Sequence, residues 1–129
     1  MPEIIKDMSM EQVLEAAPGK IAYKKVEYEK ARYEYLKEKE GVKNSEAKAY
    51  LVIKATHEKA TASEVNARVD SNEDVYKDRM ELLKKEALMR KKQVEIESWV
   101  DAFTSARKLV SLQIAEMQNI DYGQKGEGK

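Results

Sequence analysis

Apolar residues recur at helical intervals along most of this chain, and the interruptions between them mark where helices begin and end. Ser9 can cap a first helix over 9–17, with Gln12 completing a reciprocal capping pattern, and Pro18-Gly19 is expected to end it. Ala22, Val26, Tyr33 and Leu36, together with Tyr28, Ala31 and Tyr35, then follow one another at steps of three, four and seven. They predict a second helix over 20–40, stopped by Gly41. Asn44 or Ser45 can cap a third, 45–62, whose apolar side carries Ala47, Tyr50, Ile53, His57 and Ala60. Between Thr61 and Asp70 the apolar residues Val65, Ala67 and Val69 alternate, which weakens the helical signal. Ser71-Asn72-Glu73-Asp74 then reads as a fresh helix start with acids in the first turn.

The strongest pattern lies in the expected helix 74–118. Val75, Leu82, Met89, Ile96, Phe103, Val110 and Met117 fall at seven-residue steps without a miss. Such a helix is ~65 Å long, whereas a compact domain of this size has a radius of gyration of roughly 14 Å. A strict heptad drifts by ~20° per repeat around a straight helix, so a buried stripe calls for a supercoil or a partner that follows the drift. From Ile96 onward Trp99, Val100, Phe103, Ala106, Val110, Ile114 and Met117 widen the stripe into a face suited to core packing or a subunit contact. In the first half the residues four places after the heptad positions are Arg79, Glu86 and Gln93, so the seam there is narrow and most sides of the helix are expected to be exposed. Residues 119–129, with three glycines and no periodicity, read as a disordered tail. The pattern therefore predicts one all-α domain over 1–118. It comprises short N-terminal helices and one long C-terminal amphipathic helix, coiled-coil-like and assembling as a homo-oligomer through Ile96, Trp99, Val100, Phe103, Val110, Ile114 and Met117.

Composition narrows the chemistry. The 129 residues carry 24 Lys+Arg against 24 Asp+Glu, which excludes attachment to nucleic acid by bulk charge alone. Charged residues make up 37%, and the mean hydropathy of −0.74 leaves only a modest core. Cysteine is absent, so there is no disulfide, thiolate nucleophile or Cys-based zinc site. The opening MPEIIKDMS lacks a basic segment followed by an apolar one, and no window approaches a membrane span, so a cytoplasmic location without membrane contact is expected. His57, the single histidine, sits at an apolar-face position and is expected to be partly buried and hydrogen-bonded. No second histidine, Gly-rich phosphate loop, HExxH or nucleophile elbow accompanies it, so neither an enzyme nor a cofactor or metal site is expected.

Charge is nevertheless segregated. Lys77, Arg79, Lys84, Lys85, Arg90, Lys91 and Lys92 stand against Asp78, Glu81 and Glu86, a local excess of four positive charges. At about 100° per residue, Lys77, Lys84 and Lys91 form a column ~160° from Val75, Leu82 and Met89. One reading is a solvated face laced by Lys77–Glu81, Glu81–Lys85 and Glu86–Arg90 pairs. The other is a track for phosphates, in which modest charge per subunit adds up over an assembly. Tyr23, Tyr28, Tyr33 and Tyr35 lie among Lys24, Lys25, Lys30 and Arg32, which superficially resembles a base-stacking platform. Their helical spacing favours core area with a wet hydroxyl instead.

Three stretches resemble the UvsY-type recombination mediator proteins of tailed phages. SWVDAFTSARKLVSLQIAEM, Ser98 to Met117, is similar in aromatic and apolar order to the family's closing helix. YEKARYEYL, Tyr28 to Leu36, matches its early Tyr-Glu helix, and VNARVD, Val65 to Asp70, resembles its basic LKARLD motif for single-strand binding. Arg68 falls on the second basic residue of that motif, while Asn66 replaces the first, which shifts weight to the lysines of the long helix. The resemblance implies a ring-like hexamer or heptamer that binds single-stranded DNA and helps load a recombinase onto strands covered by single-strand-binding protein. On this reading Arg68, Lys77, Lys84, Lys85, Lys91 and Lys92 contact the strand. The competing expectation is a coiled-coil structural, assembly or adaptor protein that uses the C-terminal stripe and binds no nucleic acid.

Overall fold

In the computed structural model, residue 5 and residues 7–127 are described, with side chains as far as residue 119. The described secondary structure is helical, in the order α1 (Met10–Thr56), α2 (Ala62–Asp70) and α3 (Glu73–Glu127). Each helix start is capped as its local sequence dictates. Ser9 N–H donates to Gln12 Oε1 at 2.8 Å and Gln12 N–H donates to Ser9 Oγ at 3.2 Å, the reciprocal cap expected there. Thr61 Oγ1 accepts from Glu64 N–H at 3.2 Å at the start of α2. Asn72 Oδ1 accepts from the N–H groups of Asp74 and Val75, so the α3 start also matches expectation.

The expected breaks between 9–17, 20–40 and 45–62 are absent, because α1 runs through Pro18, Gly19 and Gly41. No described glycine has a positive φ, so neither Gly19 nor Gly41 forms a helix stop. Continuous packing explains this. Leu14, Ile21, Tyr28, Tyr35, Val42 and Ala49 recur every seven residues on α1, and all are buried or half-buried. α1 ends at Thr56 rather than at residue 62, with Thr56 Oγ1 donating to the carbonyls of Val52 and Ile53. The 62–70 stretch, where alternation weakened the signal, is helical because Val65 and Val69, one turn apart, are both buried. α3 continues to Glu127, past the expected start of a disordered tail at 119; the last two residues of that expected tail lie outside the described residues.

The chain divides into two compact units, Met1–Lys25 with Val94–Lys129, and Val26–Gln93. In the first, Ile5, Val13 and Ala17 are buried with Trp99 and Ala106, and Leu14, Ile21, Ala102 and Phe103 pack around them. Lys24 Nζ and Glu95 Oε2 form an ion pair at 3.0 Å. In the second, Ala31, Val42, Val65, Val69 and Val75 are buried. Here α1 and α3 run antiparallel: Glu27 pairs with Lys92 and Glu34 with Lys85, so a seven-residue step forward on α1 matches seven residues back on α3. Glu46 pairs with Arg79, and Ser45, expected as a helix cap, instead donates to Asp78 Oδ2.

The heptad of α3 is inward throughout its covered length: Val75 is buried, and Leu82, Met89, Ile96, Phe103 and Val110 are half-buried. The partner expected for this seam is supplied, within each unit, by α1 of the same chain, which lies against α3.

Candidate nucleic-acid interface

The basic cluster of α3 divides in two. Arg79, Lys85, Arg90 and Lys92 are occupied by carboxylates. Arg79 Nε donates to Glu46 Oε1 at 3.0 Å, and its Nη1 lies 2.9 Å from Asp70 Oδ1, tying α3 to both α1 and α2. Hydrogen bonds to Asp70 and then to Glu46 push its guanidinium pKa above the ordinary value, against a smaller opposing effect of burial. Lys92 reaches Glu27 at 2.5 Å, Lys85 reaches Glu34 at 3.5 Å, and Arg90 pairs with Glu86 at 2.6 Å. Of the three helical pairs the spacing suggested, Glu86–Arg90 forms, whereas Lys85 turns across to α1. Lys85 and Lys92, expected on the strand-binding face, are instead half-buried hairpin contacts.

Lys77, Lys84 and Lys91 are exposed, and among the described residues none of them enters an ion pair. They repeat at ~10.5 Å along α3. Glu81 is exposed one turn from both Lys77 and Lys84 and offsets part of their field. Arg68 stands on a different element: exposed on α2, it lines a cleft with His57, Glu58, Lys59 and Glu64, where acids and bases nearly balance. Asn66 lines a separate cleft of about 500 Å³ with Lys43, Tyr50, Asp70 and Arg79. His57 is exposed after the end of α1 rather than partly buried, with Nδ1 3.0 Å from Thr56 Oγ1 and 3.3 Å from the Ile53 carbonyl.

The tyrosines divide too. Tyr28 and Tyr35 are half-buried, in line with the core reading, but Tyr23 and Tyr33 are exposed, as is Tyr76 on α3. Sequence spacing missed this because α1 carries two apolar rows, of which Tyr28, Ala31 and Tyr35 turn inward while Val26, Tyr33 and Leu36 turn out.

The proposed subunit face also divides. Trp99 is buried in the first unit's own core, with Phe103 packed against it and Ile96 half-buried. Val100, Ile114 and Met117 are exposed, and Val110 is half-buried. Among the described residues no group of three acidic or imidazole side chains could hold a metal ion, and no helix is long and apolar enough to cross a membrane. No family model, curated protein or solved structure matches the chain.

Proposed function

We propose that this protein binds single-stranded DNA as a recombination mediator, helping a recombinase load onto strands held by single-strand-binding protein. The observation that carries the reading is the exposed, regularly spaced column of Lys77, Lys84 and Lys91. Their cationic groups remain hydrated in the folded chain and can exchange counterions for phosphates. Exposed Tyr76, beside Lys77, supplies a π-face for a base. A neutral protein binds a polyanion by such local segregation, and a hexameric or heptameric assembly multiplies the column. The fine assignment changes: Lys85 and Lys92 support the hairpin, and Arg68 contributes from α2.

Titration of a labelled oligonucleotide across a salt series tests this. Three lysine contacts give a log–log slope of roughly −2 per protomer at about −0.7 per phosphate. Lys77→Glu/Lys84→Glu/Lys91→Glu should abolish binding with little change in melting temperature. Lys85→Ala/Lys92→Ala should lower the melting temperature and leave binding largely intact. Absence of binding at low salt, or binding insensitive to salt, overturns the reading.

A further inference from the structure

The outward side of α3 carries a second apolar row, distinct from the inward heptad. Tyr76, Met80, Leu83 and Ala87 follow one another at steps of four, three and four, the spacing of a helix-packing seam. They lie roughly 80–140° around the helix from Val75. All four are exposed: Tyr76 59%, Met80 39% and Leu83 56%, with Ala87 small enough to admit a neighbouring backbone. Lys77, Lys84 and Lys91 border this row at ~160–200°, where flanking charges select a partner helix. Along the other border, Arg79 is held by Glu46 and Asp70, and Glu86 by Arg90. The charge still available along the lysine border is mainly positive, with Glu73 at the start of α3 and Glu81 behind the column as its exposed acids.

We propose that this face of α3 receives an acidic amphipathic helix from another protein, its apolar edge on Met80 and Leu83 and its carboxylates against Lys77, Lys84 and Lys91. A regular row ~16 Å long from Tyr76 to Ala87 suits a helix of three or so turns. Charge argues against a second copy as the occupant. Antiparallel pairing of two such faces sets the lysine column against itself, and parallel pairing sets it against Arg79 and Glu86, whose charges are already taken up by Glu46, Asp70 and Arg90 and so leave the lysines without a carboxylate partner. An acidic helix removes that repulsion and buries the apolar row. The inference does not depend on strand binding, although it uses the same lysines, so helix and strand compete.

The test uses the full chain and a fluorescein-labelled 21-residue synthetic helix with Leu on its seam and Glu on its flanks, compared with a Lys-flanked counterpart. Fluorescence anisotropy should show binding of the Glu peptide and not of the Lys peptide. Met80→Ser/Leu83→Ser should weaken it by about tenfold or more while oligonucleotide binding persists. Lys77→Glu/Lys84→Glu/Lys91→Glu should reverse the preference between the two peptides. Circular dichroism should find both variants folded, because every substituted side chain is exposed. Failure to bind the Glu peptide overturns the proposal, as does binding that ignores Met80→Ser/Leu83→Ser. A dimer of the chain that Leu83→Ser dissolves also overturns it, by making a second copy the occupant. Peptide binding without oligonucleotide binding leaves this proposal standing and removes the strand-binding one.

Discussion

Arg79 shows how one side chain can serve structure where its surroundings suggest recognition. In the sequence it is one of seven cations in a basic run; in the fold two of its three side-chain nitrogens divide between Glu46 on α1 and Asp70 at the end of α2. A fork of rigid donors can hold two carboxylates at once, and an ammonium cannot do so with the same geometry. Arg79→Lys should therefore lower the urea midpoint, although the site is partly exposed and each pair contributes only ~0.2–1 kcal/mol. A double-mutant cycle of Arg79→Ala with Asp70→Asn should return a coupling in that range, and a null coupling would remove the bridge from the account. The raised guanidinium pKa means the contribution is fully present below the unfolded value and is lost only as pH rises through the folded one. Both lie above the neutral range, so the Arg79 charge itself imposes no pH dependence on stability near neutrality.

At the level of elements, α1 is where local signals and tertiary packing disagree most. Pro18 sits inside the helix, where it can donate no hydrogen bond to the carbonyl four residues back, and Gly41 is poor helix material. The helix persists because Val13 and Ala17 on one side of Pro18, and Ile21 on the other, pack into one core. Pro18→Ala should therefore stabilise the protein, by up to ~3 kcal/mol, read as a higher melting temperature. Gly41→Ala should add ~1 kcal/mol, since a Cβ there meets nothing within 4 Å. A fall in melting temperature for either would mean that the continuous helix is wrong at that point. The caps at Ser9 and Asn72 and the α3 heptad were legible in the sequence, because each depends on residues within a turn or a fixed repeat. The continuity of α1 was not, because its inward row of Leu14, Ile21, Tyr28, Tyr35, Val42 and Ala49 mixes with the outward row of Val26, Tyr33 and Leu36. Only a partner helix tells the two apart.

For the molecule as a whole, zero net charge conceals a sorting that no composition count can show. Glu27, Glu34 and Glu46 engage cations of α3, whereas Lys77, Lys84 and Lys91 are left to solvent. Which lysine belongs to which set depends on the antiparallel register, which sequence spacing alone does not give, so Lys85 and Lys92 read there with Lys77, Lys84 and Lys91. The same logic limits any homo-oligomer. Trp99 and Phe103 serve the core of their own unit, so of the expected subunit face the part left for a contact is Val100 and the stretch of α3 beyond Ala106, the last buried residue described on that helix. None of residues 107–119 is buried, and Ile114 and Met117, at 50% and 65% exposure, prolong the apolar side of the helix without cover among the described residues. On the proposed oligomer, Ile114→Ser/Met117→Ser should reduce the assembly to monomers in sedimentation velocity at an unchanged melting temperature. Trp99→Ala should instead lower stability by ~3–5 kcal/mol, the cost of emptying an aromatic core site. If the double variant sediments as the parent does, whether that is an assembly or a monomer, this end of α3 holds no copies together and strand affinity must come from one column of lysines alone.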